Sequence, residues 1–103
     1  MLGFIKKLLG GSSVNYKELV GNGAIIIDVR SAGEYKSGHI PGSKNYPLDS
    51  IRTKIAELKK LNKPVITVCR SGARSGMAKG ILKSAGIEAY NGGPWNSLKN
   101  KIA

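Results

Sequence analysis

Residues 68–76 read VCRSGARSG, and they hold the chain's single cysteine, Cys69. Two arginines, Arg70 and Arg74, flank a run of Ser71, Gly72 and Ala73, and no acidic residue occurs from 69 to 86. Free cysteine is a small hydrophobe and among the most buried residue types, so a lone cysteine after an apolar run reads first as packing. The residues after it point elsewhere. A Gly- and Ser-rich turn entering a helix aims unpaired backbone N–H groups at one spot, with the positive end of the helix dipole behind them. Such donors with two nearby guanidinium groups favour a thiolate over a thiol, and the thiolate is the nucleophile.

Other cysteine and histidine chemistry is poorly supplied. The chain has one cysteine and one histidine, His39, whereas a zinc site needs three or four protein ligands. No metal site is expected. His39 sits in GHIPG, a tight turn, and nothing places it as a general base for Cys69. The dipeptide Gly-Lys of a phosphate-binding P-loop is absent. Cysteine phosphatases place five residues between Cys and Arg; here four residues separate Cys69 from Arg74, and the longer spacing falls on Ser75. The shorter loop makes a cradle small for a phosphoryl group and suited to a thiolate that carries one extra sulfur.

The elements that must position this loop follow from hydrophobic patterning. AIIIDVR (24–30) and PVITVC (64–69) are short continuous apolar runs, the mark of strands covered on both faces. YKELVGNG (16–23) predicts one or two helical turns closed by a glycine. SAGEYKSG (31–38) predicts a short helix with Ser31 as N-cap and Glu34 in the capping-box position. The stretch 39–48 has two prolines and a glycine and reads as a loop. Ile51, Ile55, Leu58 and Leu61 recur at helical spacing, with Asp49 or Ser50 as cap and Asn62 and Pro64 as the stop. Met77, Ala78, Ile81, Leu82 and Ala85 define one apolar face of a helix ended by Gly86. IEAYN (87–91) predicts a third strand and GPWNSLKNKIA (93–103) a closing helix. Alternating strands and helices imply a parallel sheet with right-handed crossovers. In such sheets ligands bind where strands end and helices begin, which is where Cys69 falls.

Length and charge bound the rest. A chain of 103 residues supports one small domain. Net charge is +11, with +3 in residues 1–57 and +8 in 58–103. That field favours anionic partners. With only six aromatic residues and no recognisable binding module, nucleic acid is not the expected partner, because basic charge lacks a stacking platform. The single cysteine makes a cytoplasmic setting the default expectation. Residues 1–13, MLGFIKKLLGGSS, read as a basic amphipathic tail with a Gly/Ser joint. Lys6 and Lys7 interrupt its apolar run, so neither a secretory signal nor a transmembrane segment is expected.

Three stretches then carry a resemblance: IIDVRSAGEYKSGHIPGSKN (26–45), VITVCRSGARSGMAKGILKSAGI (65–87) and YNGGPW (90–95). In that order and spacing, across most of residues 14–97, the chain resembles single-domain rhodaneses, the sulfurtransferases of the rhodanese homology superfamily. The resemblance implies a rhodanese-like domain over 14–103: an α/β three-layer sandwich, with a mostly parallel sheet of about five strands between helices. It implies that Cys69 is catalytic and carries a persulfide, and that the loop Cys69-Arg70-Ser71-Gly72-Ala73-Arg74 binds the substrate. No cofactor is then required, since the enzyme's own sulfur is the carrier. Arg70 is expected to steer the anionic donor, with Arg74 steering or bracing. Asp28, Arg30 and Glu34 match the family pattern and are expected to form a buried hydrogen-bonded frame. Trp95 follows Gly93 more closely than the family usually has it and is expected to fill core. The expected partners are a small anionic sulfur donor, such as thiosulfate, and a thiophilic acceptor, to a monomeric enzyme. A sulfur-relay module serving a protein partner is the alternative. A cysteine phosphatase or arsenate reductase and an inactive scaffold stand further off.

Overall fold

A computed structural model describes residues 14–103; the basic tail expected over 1–13 lies outside the described residues. The element order is α1 (Tyr16–Gly21), β1 (Ile25–Asp28), α2 (Ala32–Ser37), β2 (Lys44–Asn45), a 3-10 helix (Leu48–Lys54), α3 (Ile55–Leu61), β3 (Val65–Cys69), α4 (Ala73–Ser84), β4 (Ala89–Pro94) and α5 (Trp95–Lys101). The described strands form one sheet of four, ordered β2-β1-β3-β4, with all neighbours parallel. The α/β sandwich is as expected, with four strands rather than about five. Glycine and proline between 38 and 48 leave only the two residues of β2 able to pair with β1.

Alternation along the two central strands builds two cores. Ile27, Val29, Val65 and Cys69 face one side, under Ile51, Leu58, Ala78 and Leu82 of the 3-10 helix, α3 and α4. Ile26, Ile66 and Val68 face the other, against Ile40 and Leu98, with Tyr16, Leu19, Val20, Trp95 and Ile102 packed around them. Strands covered on both faces are mainly apolar, hence IIID and VITVC, where the polar exceptions Asp28 and Thr67 both have hydrogen-bond partners.

Three local expectations need correction. The helix expected from Asp49 starts as a 3-10 helix after Pro47, with no side-chain cap, and becomes α-helical only from Ile55. Its end is as expected: Asn62 takes the left-handed conformation, φ 52°, and donates its N–H to Leu58 and Lys59 carbonyls. On α4 the buried stripe is Ser75, Ala78 and Leu82, whereas Met77 is 57% exposed. The polar Ser75 takes the inward position because its hydroxyl has partners there. The third expected strand begins two residues later, at Ala89, and runs through Pro94. No described helix is long and apolar enough to cross a membrane.

Candidate active site

The loop after β3 is built around the cysteine sulfur. Cys69 ends the strand, fully buried. Gly72, at φ +102°, turns the chain left-handed and stands at the N-cap of α4. That turn brings the Gly72 N–H to 2.9 Å from Cys69 Sγ and the Ser75 N–H to 3.4 Å. The Ser75 hydroxyl lies 3.3 Å from the same sulfur. Only glycine adopts this backbone at no cost, and a Cβ here would also lie 3.5 Å from Gly93 Cα on β4.

Burial pushes the thiol pKa up. Hydrogen bonds from the Ser75 hydroxyl and from the Ser75, Gly72 and Ser71 backbone outweigh it, so the net direction is down. Burial and donors thus meet at one atom. The residue packs in the core like any buried cysteine, yet its sulfur faces donors at the start of a helix.

The two arginines part company. Arg70 is exposed and makes no side-chain hydrogen bond or ion pair among the described residues. Arg74 reaches across to α2, where Nη1 and Nη2 donate to the two Glu34 oxygens at 2.8 and 3.0 Å. The view of two arginines remote from any acid is thus corrected. No acid lies nearby in sequence, but Glu34 arrives from another element. Glu34 also closes the α2 capping box, accepting from the Ser31 N–H and hydroxyl while Ser31 Oγ accepts from the Glu34 N–H. The Arg74 guanidinium, then the Ser31 N–H, hold its carboxyl well below the usual carboxylate range.

Asp28 and Arg30 form the buried part of the expected frame. Arg30 Nη2 lies 2.7 Å from Asp28 Oδ2, and Nε donates to the same carboxylate. Its remaining donors reach the Glu34 and Gly38 carbonyls at 3.2 and 2.6 Å. The pair ties the end of β1 to α2 at Glu34 and at its C-cap, Gly38. Glu34, by contrast, is half-exposed and belongs to the Arg74 brace, not to the buried frame.

Trp95, half-buried, packs into the second core with its ring 4.8 Å from the Arg30 guanidinium carbon. The extra role, capping Arg30, was not visible in the sequence. His39 Nδ1 sits 2.7 Å from the Tyr35 carbonyl, and its ring stacks on Tyr35 with centroids 3.7 Å apart. It makes no hydrogen bond to the loop.

Three further residues hold the loop and were not singled out from the sequence. Thr67 Oγ1 donates to the Ser75 carbonyl at 2.8 Å and pins the first turn of α4 to β3. Ser75 Oγ donates to Asn91 Oδ1 at 2.7 Å. Asn91 Nδ2 donates to the Gly72 carbonyl at 3.1 Å, and the Gly93 N–H donates to Asn91 Oδ1 at 2.9 Å. A single amide on β4 therefore grips the N-cap of α4 at Gly72 and its first turn at Ser75.

This geometry agrees with the comparisons to known proteins. The chain is 39% identical over 65 residues to thiosulfate sulfurtransferase GlpE of Pseudomonas savastanoi pv. phaseolicola, covering 63% of this chain and 60% of that one. It is 38% identical over 63 residues to the putative sulfur carrier protein YrkF of Bacillus subtilis, covering 61% of this chain and 34% of YrkF. The chain thus spans less than two thirds of the length of either curated relative. A solved rhodanese with anions from E. coli superposes with a TM-score of 0.65 at 33% identity, covering 71% of this chain and 88% of that one. Residues 13–96 match the Rhodanese-like domain family, and the chain belongs to it.

Proposed function

We propose that the protein is a sulfurtransferase that carries sulfane sulfur on Cys69. The observation that carries the reading is the cup around Sγ, with two backbone N–H groups and a hydroxyl within 3.4 Å of it. In the first step the Cys69 thiolate attacks the outer sulfur of a donor such as thiosulfate. The S–S bond of the donor breaks, sulfite leaves with its electron pair, and Cys69 holds a persulfide anion. In the second step a thiophile (cyanide, or a thiol) attacks the outer sulfur and Cys69 leaves as a thiolate. This is a double displacement through one covalent intermediate. The same N–H groups that face the thiolate serve the persulfide, as an oxyanion hole serves oxygen. Arg70, unpaired and exposed, steers the anionic donor, while Arg74 braces the loop against α2. Asp28 and Arg30 hold the floor beneath it. No metal or organic cofactor enters the cycle.

The test is intact mass after thiosulfate treatment. One added sulfur is expected, removed by dithiothreitol and not acquired by Cys69→Ala. An unchanged mass, under conditions that load an active rhodanese, would overturn the mechanism.

The similarity to YrkF supports a second reading, a relay that passes persulfide sulfur to a protein partner. Steady turnover of thiosulfate with cyanide favours the enzyme. Loading by a cysteine desulfurase with negligible turnover on thiosulfate favours the relay.

A further inference from the structure

The Ser75 hydroxyl stands between two acceptors that cannot both hold its proton. Asn91 Oδ1 is 2.7 Å away and Cys69 Sγ 3.3 Å away. The orientation of the Asn91 amide is fixed by its other partners. Gly93 presents an N–H, so Oδ1 must face it, and Gly72 presents a carbonyl, so Nδ2 must face that. Oδ1 is purely an acceptor, and at 2.7 Å Ser75 must therefore donate to it. The hydroxyl then turns a lone pair toward the sulfur. That arrangement suits a thiol, which donates S–H to Ser75 Oγ. It does not suit a thiolate, which needs the hydroxyl proton for itself.

We propose that Asn91 is a positioning residue that acts on Cys69 through Ser75, keeping the hydroxyl proton on its own carbonyl while the sulfur is protonated and yielding it when the sulfur ionises. When the thiol loses its proton to solvent base, the hydroxyl hydrogen turns about Cβ–Oγ and is donated to sulfur. Asn91 Oδ1 keeps the Gly93 N–H and is not left without a partner. Ionisation of Cys69 is thereby coupled to one side-chain rotation and to the loss of one 2.7 Å hydrogen bond. The amide restrains thiolate formation, and its removal frees the hydroxyl for the sulfur. A role confined to gripping the loop has the opposite sign, because a loosened turn withdraws its N–H donors.

Other charged or titratable groups on the surrounding elements are Arg70 in the loop, Arg74, Lys79 and Lys83 on α4, Asp28 and Arg30 at the end of β1, Glu34 behind Arg74, Asp49, Arg52 and Lys54 on the 3-10 helix and Tyr90 on β4. None is altered in the test. Because Cys69 is the sole cysteine, thiolate absorbance and the pH dependence of iodoacetamide alkylation both report it alone. The titration is made on the full chain for the parent, Ser75→Ala, Asn91→Ala and the double variant, each checked for a native thermal transition. Asn91→Ala is expected to move the midpoint down by about half a pH unit or more. In the Ser75→Ala background the same change is expected to give no lowering, since the intermediary is gone. Asn91→Ser, which keeps a small polar group for Gly72 or Gly93, is read through the same cycle should alanine not fold.

A midpoint that rises on Asn91 substitution, that stays put, or that moves equally with and without Ser75 overturns the inference. Its catalytic meaning rests on the sulfurtransferase reading, but no sulfur donor enters the titration. Loss of coupling with intact sulfur loading sinks only this proposal, and coupling without loading sinks only that reading.

Discussion

The site contains two arginine–carboxylate pairs made of the same groups, and they do different work. Asp28–Arg30 is buried, with side chains 0% and 6% exposed, and most of the guanidinium donors have protein partners. Glu34–Arg74 lies at the surface, with side chains 32% and 37% exposed. In the first pair no water can stand in for either partner, and an isolated buried ion is strongly unfavourable. In the second, water can replace either partner. The buried pair is therefore scaffold, and the surface pair is an adjustable brace between α2 and the catalytic loop.

The largest expected effect breaks the buried pair. Asp28→Ala leaves Arg30 buried without its counter-charge and is expected to cost about 3–5 kcal/mol of stability, read by urea denaturation. A loss comparable to that of a surface substitution would show that water reaches Arg30 and that the two pairs are alike.

The next prediction separates the loop's two arginines. Arg70→Ala is expected to lower kcat/KM for thiosulfate about fivefold or more, on the order of 1 kcal/mol, through KM and with a steep dependence on salt. Arg74→Ala is expected to change KM less, because its charge is already neutralised by Glu34. An effect of Arg74→Ala equal to that of Arg70→Ala would mean that the brace opens during turnover to meet the donor.

The smallest effect belongs to the brace itself. The folded pKa of Glu34 lies below its unfolded one, so its pairing stabilises the fold at neutral pH. That contribution fades as pH falls below the ordinary carboxylate range toward the folded value. Glu34→Gln should be less stable than the parent near neutrality, and the difference should shrink in acid and in high salt. A difference that persists unchanged at low pH would show that it does not come from the carboxylate charge, and the brace would then contribute nothing.

The division of labour between these pairs explains what could be read from the chain. The central strands were legible because burial on both faces demands runs such as IIID and VITVC. The capping box was legible because Ser31 and Glu34 lie three residues apart. Cys69 and the turn that faces it were legible because the loop is local, six consecutive residues from the end of β3 into the first turn of α4. Nothing in the sequence joins Glu34 to Arg74, forty positions away, so the charge surplus of the loop was overstated. Ser75 and Asn91 escaped for the same reason. A serine on an apolar helix face and an asparagine in a strand look like imperfections until the fold sets them 2.7 Å apart. Met77 failed in the other direction, as an apolar residue at a helical spacing that the 75/78/82 stripe had already filled.

Strand β4 slips register against β3 between Thr67 and Val68: Thr67 pairs with Asn91, but Val68 pairs with Gly93. The residue passed over is Gly92, where an added Cβ would come within 2.8 Å of Ile66 Cγ2. The slip acts as a phase step. Side chains on a strand alternate between faces, so skipping one residue lets β4 keep Asn91 beside Thr67, where it grips the start of α4, and still set Gly93 beside Val68 and Pro94 beside Cys69. The helix that carries Trp95 begins directly after that last pair. The strand's reach to the end of β3 is thus timed by a residue with no side chain, and deleting Gly92 would put Asn91 out of step with the last two pairs without removing any partner.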